Sequence, residues 1–171
     1  MPILLMTILK RTMDYPVGRN SGEYDESIIS VGECDLRKMV VDNIYVGKYL
    51  KAIHPSAIIS PRSTIGDGYG VMQGTIIQSS ATIGNHCIVK TGASVGHDEK
   101  LADFMHVAPH STLAGGVTVG EVTWTGDGTV VKHGIHIGRW SLMAVGSAVV
   151  DNTPSGVVAF VSKCKPIKSI N

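Results

Sequence analysis

Stepping by six residues from Ile53 picks out a row of side chains that runs to Val149. Of its 17 members 16 are aliphatic or Met, with no break of frame over 97 residues; Thr125 is the exception. A second row lies four residues behind the first, from Ala57 and Ser63 through Thr75, Ala81 and Cys87 to Thr153. It is Ala, Ser, Thr, Cys or Val at 13 of 17 positions, and Tyr69, Glu99, Met105 and Ile135 depart from it. The position directly after each first-row residue is Gly or Ala in 10 of 17 cases. An α-helix, with 3.6 residues per turn, cannot hold every sixth residue on one face, and one strand cannot persist for so long. A coil of short strands and turns satisfies the period, with the aliphatic residue inward and the small one at the corner. Gly supplies the turn conformations, and coils stack through hydrogen bonds at about 4.8 Å. The pattern predicts an all-β parallel β-helix of about six coils.

The chain outside the repeat divides simply. Residues 1–50 read as a small α/β segment, with a strand over Ser27 to Gly32 and a short helix from Asp35 to Asn43, capped by Asp35. Residues 51–153 form the β-helix, and residues 154–171 a terminal cap or tail bearing Lys163, Lys165 and Lys168.

Composition narrows the function classes. Fifteen basic and 14 acidic residues in 171 leave a formal charge of +1, which provides no basic footprint for nucleic acid. With 43% apolar and only 5% aromatic residues, the core is built from aliphatic and small side chains. Cys34, Cys87 and Cys164 fit neither a disulfide framework nor zinc-finger spacing. The apolar start, Met1 to Leu9, is too short to span a bilayer. Lys10 and Arg11 follow it rather than precede it, unlike a signal peptide. The expectation is a cytoplasmic protein without a membrane partner.

Seven histidines carry the candidate chemistry, and none falls on an inward row. His54, His86, His133 and His136 read as solvent-facing. His97 stands beside Asp98, a carboxylate able to hold an imidazole tautomer. One coil further on lie Gly115 and Gly116, where the missing side chains let a ligand approach backbone N–H groups able to face a developing oxyanion. His106 is nine residues from His97, half a circumference away, so the two rings leave opposite sides of one prism. If they serve one site, it lies between subunits, as a cyclic trimer would place it. Cys87, an inward thiol, is expected to be inert.

The runs Ile53-His54-Pro55-Ser56-Ala57, Thr91-Gly92-Ala93-Ser94-Val95-Gly96-His97-Asp98, His106-Val107-Ala108-Pro109 and Leu113-Ala114-Gly115-Gly116-Val117-Thr118-Val119-Gly120 resemble the hexapeptide-repeat sugar O/N-acetyltransferases. These include the sialic acid O-acetyltransferases and the UDP-4-amino-sugar N-acetyltransferases. The resemblance covers about residues 25–170. It implies a left-handed β-helix, a homotrimer, and acetyl-CoA as co-substrate in the groove between two prisms. It also implies His97 as general base and His106 as a second histidine that contacts the acetyl-CoA thioester from the neighbouring subunit. A small-molecule sugar is the implied acceptor.

Three departures accompany the resemblance. The family's preceding nucleotide-sugar domain, with its glycine-rich turn, is represented only by Tyr24 to Val46. Lys90 stands where the family has Asn, so a substrate-binding position carries a cation that disfavours a cationic amine. Val161-Ser162-Lys163-Cys164-Lys165 replaces the usual Gly-x-Pro-Ala-Lys, leaving Lys165 to meet a CoA phosphate. Two other readings compete. One is a γ-type carbonic anhydrase with zinc on His86, His106 and His110, and the other is a trimeric scaffold that has lost catalysis.

Overall fold

A computed structural model describes residues 6–7, 27–43 and 48–160. The repeat folds as the periodicity predicts, into a three-faced parallel solenoid that matches a left-handed β-helix. Face I has seven strands, from Ala52–Ile53 to Val158–Ala159; face II has six, from Ile58–Ile59 to Ala148–Val149; face III has five, from Thr64–Ile65 to His136–Ile137. Each strand is two residues long and pairs with the strand 18 residues on, as Ser94 does with Thr112 and Lys100 with Thr118. After Val149 the frame shortens by two residues, because Leu142 pairs with Val158 and Ile137 with Thr153. Residues 154–160, at the start of the expected cap, thus add a strand to face I.

The interior consists of the two predicted rows. Val71, Ile77, Val95, Val107, Leu113, Val131, Ile137 and Met143 are each at most 2% exposed. On the second row the hydroxyl and thiol groups have a repeated task. Thr75, Cys87, Ser111, Thr123 and Thr129 each donate to the carbonyl 15 residues on, which spans the gap to the next coil. That bond is why Ser and Thr serve as well as Ala on a buried row, since a buried hydroxyl needs a partner. Burial pushes the Cys87 thiol up to about 12, so the expected inertness follows.

The N-terminal segment lies over face I and the corner between faces III and I. Met6–Thr7 pairs antiparallel with Ile28–Ile29, and Ser27 bridges to Tyr49. The helix spans Cys34–Asn43, one residue earlier than expected, and Arg37 N–H donates to the Glu33 carbonyl. Asp35 therefore sits in the first turn, where its carboxylate accepts the Leu36 N–H, rather than capping from outside. Cys34 and Val41 pack with Phe104, Val122 and Trp124 of the solenoid.

Arg37 fastens this cover. It is fully buried, with no carboxylate partner among the described residues. Its Nε donates to the His86 carbonyl, Nη1 to Val31 and Gly32, and Nη2 to Phe104, Met105 and the Cys34 sulfur. A buried charge is tolerable only when its donors are met, and five carbonyls and a sulfur meet them. No helix among the described residues is long and apolar enough to cross a membrane.

Candidate active site

The corner between faces II and III carries His97. Asp98 follows with φ +57°, a left-handed conformation that Asp tolerates, and its Oδ2 lies 2.7 Å from His97 Nδ1. A carboxylate only accepts, so Nδ1 holds the hydrogen and Nε2 keeps the lone pair. Both side chains are well exposed, at 63% and 65%, so this contact orients the ring rather than stabilising the fold.

Gly115 lies one coil on, directly under that lone pair. A Cβ at 115 would overlap Nε2 and Cε1 of His97 and come within 2.8 Å of Cδ2. The missing side chain is thus a geometric requirement of the ring's position. The neighbouring Gly116 N–H is engaged by the His97 carbonyl at 2.8 Å, whereas the Gly115 N–H makes no hydrogen bond among the described residues. Gly96 completes the close approach, since a Cβ there would lie 2.7 Å from the Gly115 nitrogen.

His106 belongs to the strand His106–Val107 of face I, opposite that corner. The half-circumference separation holds, but the two rings differ in exposure. His106 is 3% exposed, stacked on Trp124 at 4.4 Å, with Nδ1 2.8 Å from the Gly32 carbonyl. A carbonyl can only accept, so Nδ1–H donates and Nε2 is left as an acceptor. Burial pushes its pKa down to about 4 against the opposing hydrogen bond to Gly32, and the charges of Arg37 and Lys90 act with burial. It is therefore neutral at physiological pH. Lys90, half-buried at the corner between faces I and II, extends its field to this face.

His86 is a further correction. Expected at the solvent, it is 6% exposed, because Tyr49 packs edge-on at 4.4 Å and Phe104 stacks at 5.1 Å. Its pKa is lowered by burial. His54, His133 and His136 are exposed as expected. His86, His106 and His110 occupy a corner, a face and another corner, so one chain does not gather them as a zinc set, and no metal-binding group of three side chains occurs among the described residues. Lys165 lies outside the described residues. A cleft of about 510 Å³ near Asp103, Glu121, His136 and Arg139 lies at a different corner, and His97 does not line it.

Arg37 and Glu99 are the functional-site neighbours that sequence reasoning passed over. Glu99 had a visible signal, as a carboxyl on a row of small residues. Arg37 had none, because helix periodicity does not say which lysine or arginine is buried.

No family model matches the chain. A variant of perosamine N-acetyltransferase from Caulobacter crescentus, solved with CoA and GDP-perosamine, is 35% identical with a TM-score of 0.77, over 81% of this chain and 67% of that one. The acetyltransferase domain of PglB from Neisseria gonorrhoeae, solved with acetyl coenzyme A, is 28% identical with a TM-score of 0.76, over 82% and 69%. An acyl-[acyl-carrier-protein]–UDP-N-acetylglucosamine O-acyltransferase of Stutzerimonas stutzeri is 28% identical over 145 residues, 84% of this chain and 52% of its own length. The chain spans about half the length of the curated relatives it matches. With an unbroken six-residue frame, a β-helix superposable on these enzymes and this level of identity, the chain belongs to the hexapeptide-repeat acyltransferases.

Proposed function

We propose that this chain transfers an acetyl group from acetyl-CoA to an amino or hydroxyl group of a sugar, with His97 as general base. The observation that carries the reading is the stacking of His97 Nε2 over Gly115, whose N–H is free. The fit to the co-substrate rests on that N–H and on Gly116, where a Cβ would meet nothing nearer than 3.9 Å. Acetyl-CoA supplies the activated acyl thioester. His97 Nε2 takes the proton of the attacking amine or alcohol, a contribution of about 10²–10⁴-fold in such catalysis. Asp98 holds Nδ1–H and stabilises the imidazolium once formed. The Gly115 N–H donates to the carbonyl oxygen as it gains charge, and Gly116 keeps the approach open.

His106, Lys165 and the groove beside them would hold the CoA moiety. Because His106 presents an acceptor at Nε2, its partner there is an N–H donor rather than the thioester oxygen. Lys90 meets the acceptor sugar and disfavours a cationic amine. His97 and His106 leave opposite sides of the prism, which supports a homotrimer with each site between neighbouring copies. Solvated and unenclosed, the His97 corner has the openness that a shared groove requires.

Thiol release from acetyl-CoA, measured over a panel of nucleotide amino sugars and sialic acids, tests the reaction and identifies the acceptor. His97→Ala should abolish that release while leaving melting temperature and acetyl-CoA binding nearly intact. His106→Ala should weaken acetyl-CoA use more than turnover, and trimers mixed from the two variants should recover activity. Wild-type transfer by His97→Ala on a verified acceptor would overturn the proposed mechanism.

A further inference from the structure

One interior group is explained neither by the coil nor by the transfer chemistry. Glu99 is 0% exposed, on a row where Ala81 precedes it by one coil and Val117 follows by one. The hydroxyls of Thr75, Ser111, Thr123 and Thr129 on the same row reach forward to the next coil, and Ser63 reaches back to the Ser60 carbonyl as a donor. Glu99 reaches backward across its own turn as an acceptor, and its Oε1 accepts the Gly96 N–H at 2.5 Å. That N–H also donates to the Leu113 carbonyl at 3.0 Å, so one donor is shared between the carboxyl and the next coil. The span from Gly96 to Glu99 encloses His97 and Asp98. The second carboxyl oxygen, Oε2, is buried without a partner.

Such a group is costly where Ala or Ser would serve, because a buried polar atom without a partner is penalised. We propose that Glu99 is a positioning residue, whose carboxyl grips the Gly96 N–H from inside the prism and fixes the turn that holds His97 Nε2 over Gly115. The proposal rests on the reading of His97 as base. Gly96 is the link, since a Cβ there would lie 2.7 Å from the Gly115 nitrogen and 2.9 Å from Glu99 Oε1, so the two sides of the site close on its bare backbone. Burial pushes the Glu99 pKa up to about 9, so the grip is that of an uncharged acid near neutral pH. The row-mates Ala81 and Val117 bring no charge to it. The titratable groups of its own turn, His97 and Asp98, are exposed on the other side of the backbone. Loss of the proton would leave Oε2 as an unpartnered buried charge beneath the site.

Glu99→Gln and Glu99→Val separate this role from simple packing. Gln keeps a carbonyl for the Gly96 N–H and cannot ionise, whereas Val fills the row as Val117 does but has no acceptor. The His97 imidazole is followed by nitrogen NMR and transfer by thiol release as a function of pH. For Glu99→Gln, the His97 tautomer and neutral-pH kcat should stay as in the wild type, and the loss of kcat near pH 9 should disappear. For Glu99→Val, kcat should fall by about 10²-fold, the scale of an ångström misplacement, with KM for acetyl-CoA unchanged and Nδ1–H of His97 no longer fixed. A Val variant with wild-type kcat and a fixed tautomer overturns the proposal, as does a Gln variant as damaged as Val. If Val fails to fold, the Gln variant's pH profile decides alone. The NMR signature reports positioning even if another residue is the base, while His97→Ala tests the base independently.

Discussion

His97 and His106 occupy outward positions of one repeat frame, nine residues apart, and meet opposite surroundings. His97 stands at an open corner, with its ring held by the adjacent carboxylate and a glycine beneath it. His106 lies under the N-terminal segment, sandwiched between Trp124 and the Gly32 carbonyl. The solenoid determines where each side chain points, but what lies over the coil determines whether it is solvated. One frame thereby yields two different imidazoles, one exposed at an open corner and one kept neutral as a hydrogen-bond acceptor. The cover acts on the second at both ends, since Arg37 Nη1 and His106 Nδ1 share the Gly32 carbonyl.

The most severe way to break this contrast is to remove the cover's fastening. Arg37→Met leaves the His86, Val31 and Phe104 carbonyls without a donor among the described residues, while Gly32 keeps His106 Nδ1–H and Met105 keeps the Ile88 N–H, and each unpaired buried group costs about 1–3 kcal/mol. Denaturant unfolding should show a loss of several such units, and the His106 imidazole should titrate closer to an ordinary histidine by NMR. A variant as stable as the wild type would show that the cover is held by apolar packing alone.

Gly115→Ala attacks the open corner instead. The added Cβ displaces the His97 ring, and turnover should fall by about 10²-fold with melting temperature little changed. An unaltered kcat would mean that the ring can leave Gly115 without cost to the chemistry.

Acidification sharpens the contrast further. His106 and His86 both have folded-state pKa values lowered by burial; for His106 the unfolded state binds more protons as pH falls from about 6.5 to about 4. Stability is full above that window and declines through it, by up to about 1.4 kcal/mol per pH unit. Melting temperatures should drop over this range, and less so in His106→Gln. Glu99 has the opposite sign. Its raised pKa means that stability declines as pH rises from about 4.5 toward about 9, so Glu99→Gln should melt higher than the wild type at neutral pH.

The smallest effect expected is at Thr125. Its hydroxyl reaches the His106 carbonyl only at 3.5 Å, a marginal bond. Thr125→Val should therefore be neutral or slightly stabilising, within about 0.5 kcal/mol, in thermal unfolding. Marked destabilisation would show that this contact supports the strand bearing His106.

The coil is legible as far as Val149 because its signal is internal to the sequence; the two-residue shortening after it leaves no mark in the frame. A six-residue frame names every inward residue, and Val95, Val107 and Leu113 are where it places them. The His97–Asp98–Gly115 arrangement was legible for the same reason, since adjacency and an 18-residue step are properties of the frame. What the frame cannot express is contact between the repeat and a segment outside it. His86 reads as solvent-facing and the burial of His106 goes unmarked, because Tyr49, Gly32 and the helix cover them and nothing in the period announces those partners. Glu99 showed as an irregularity on the small row, but its backward reach depends on rotamer and local space rather than on register.

Arg37 has a consequence for the order in which the chain assembles. Its acceptors at His86 and at Phe104 and Met105 come from neighbouring coils, one step apart along the axis. Until both coils are wound, the place where the guanidinium lodges does not exist. A segment made before the coils it rests on is therefore the one that must wait, docking only after residues more than 60 positions downstream have found their places. Contacts of such sequence separation make for slow maturation, and the neutral state of His106, which depends on that docking, is reached late as well.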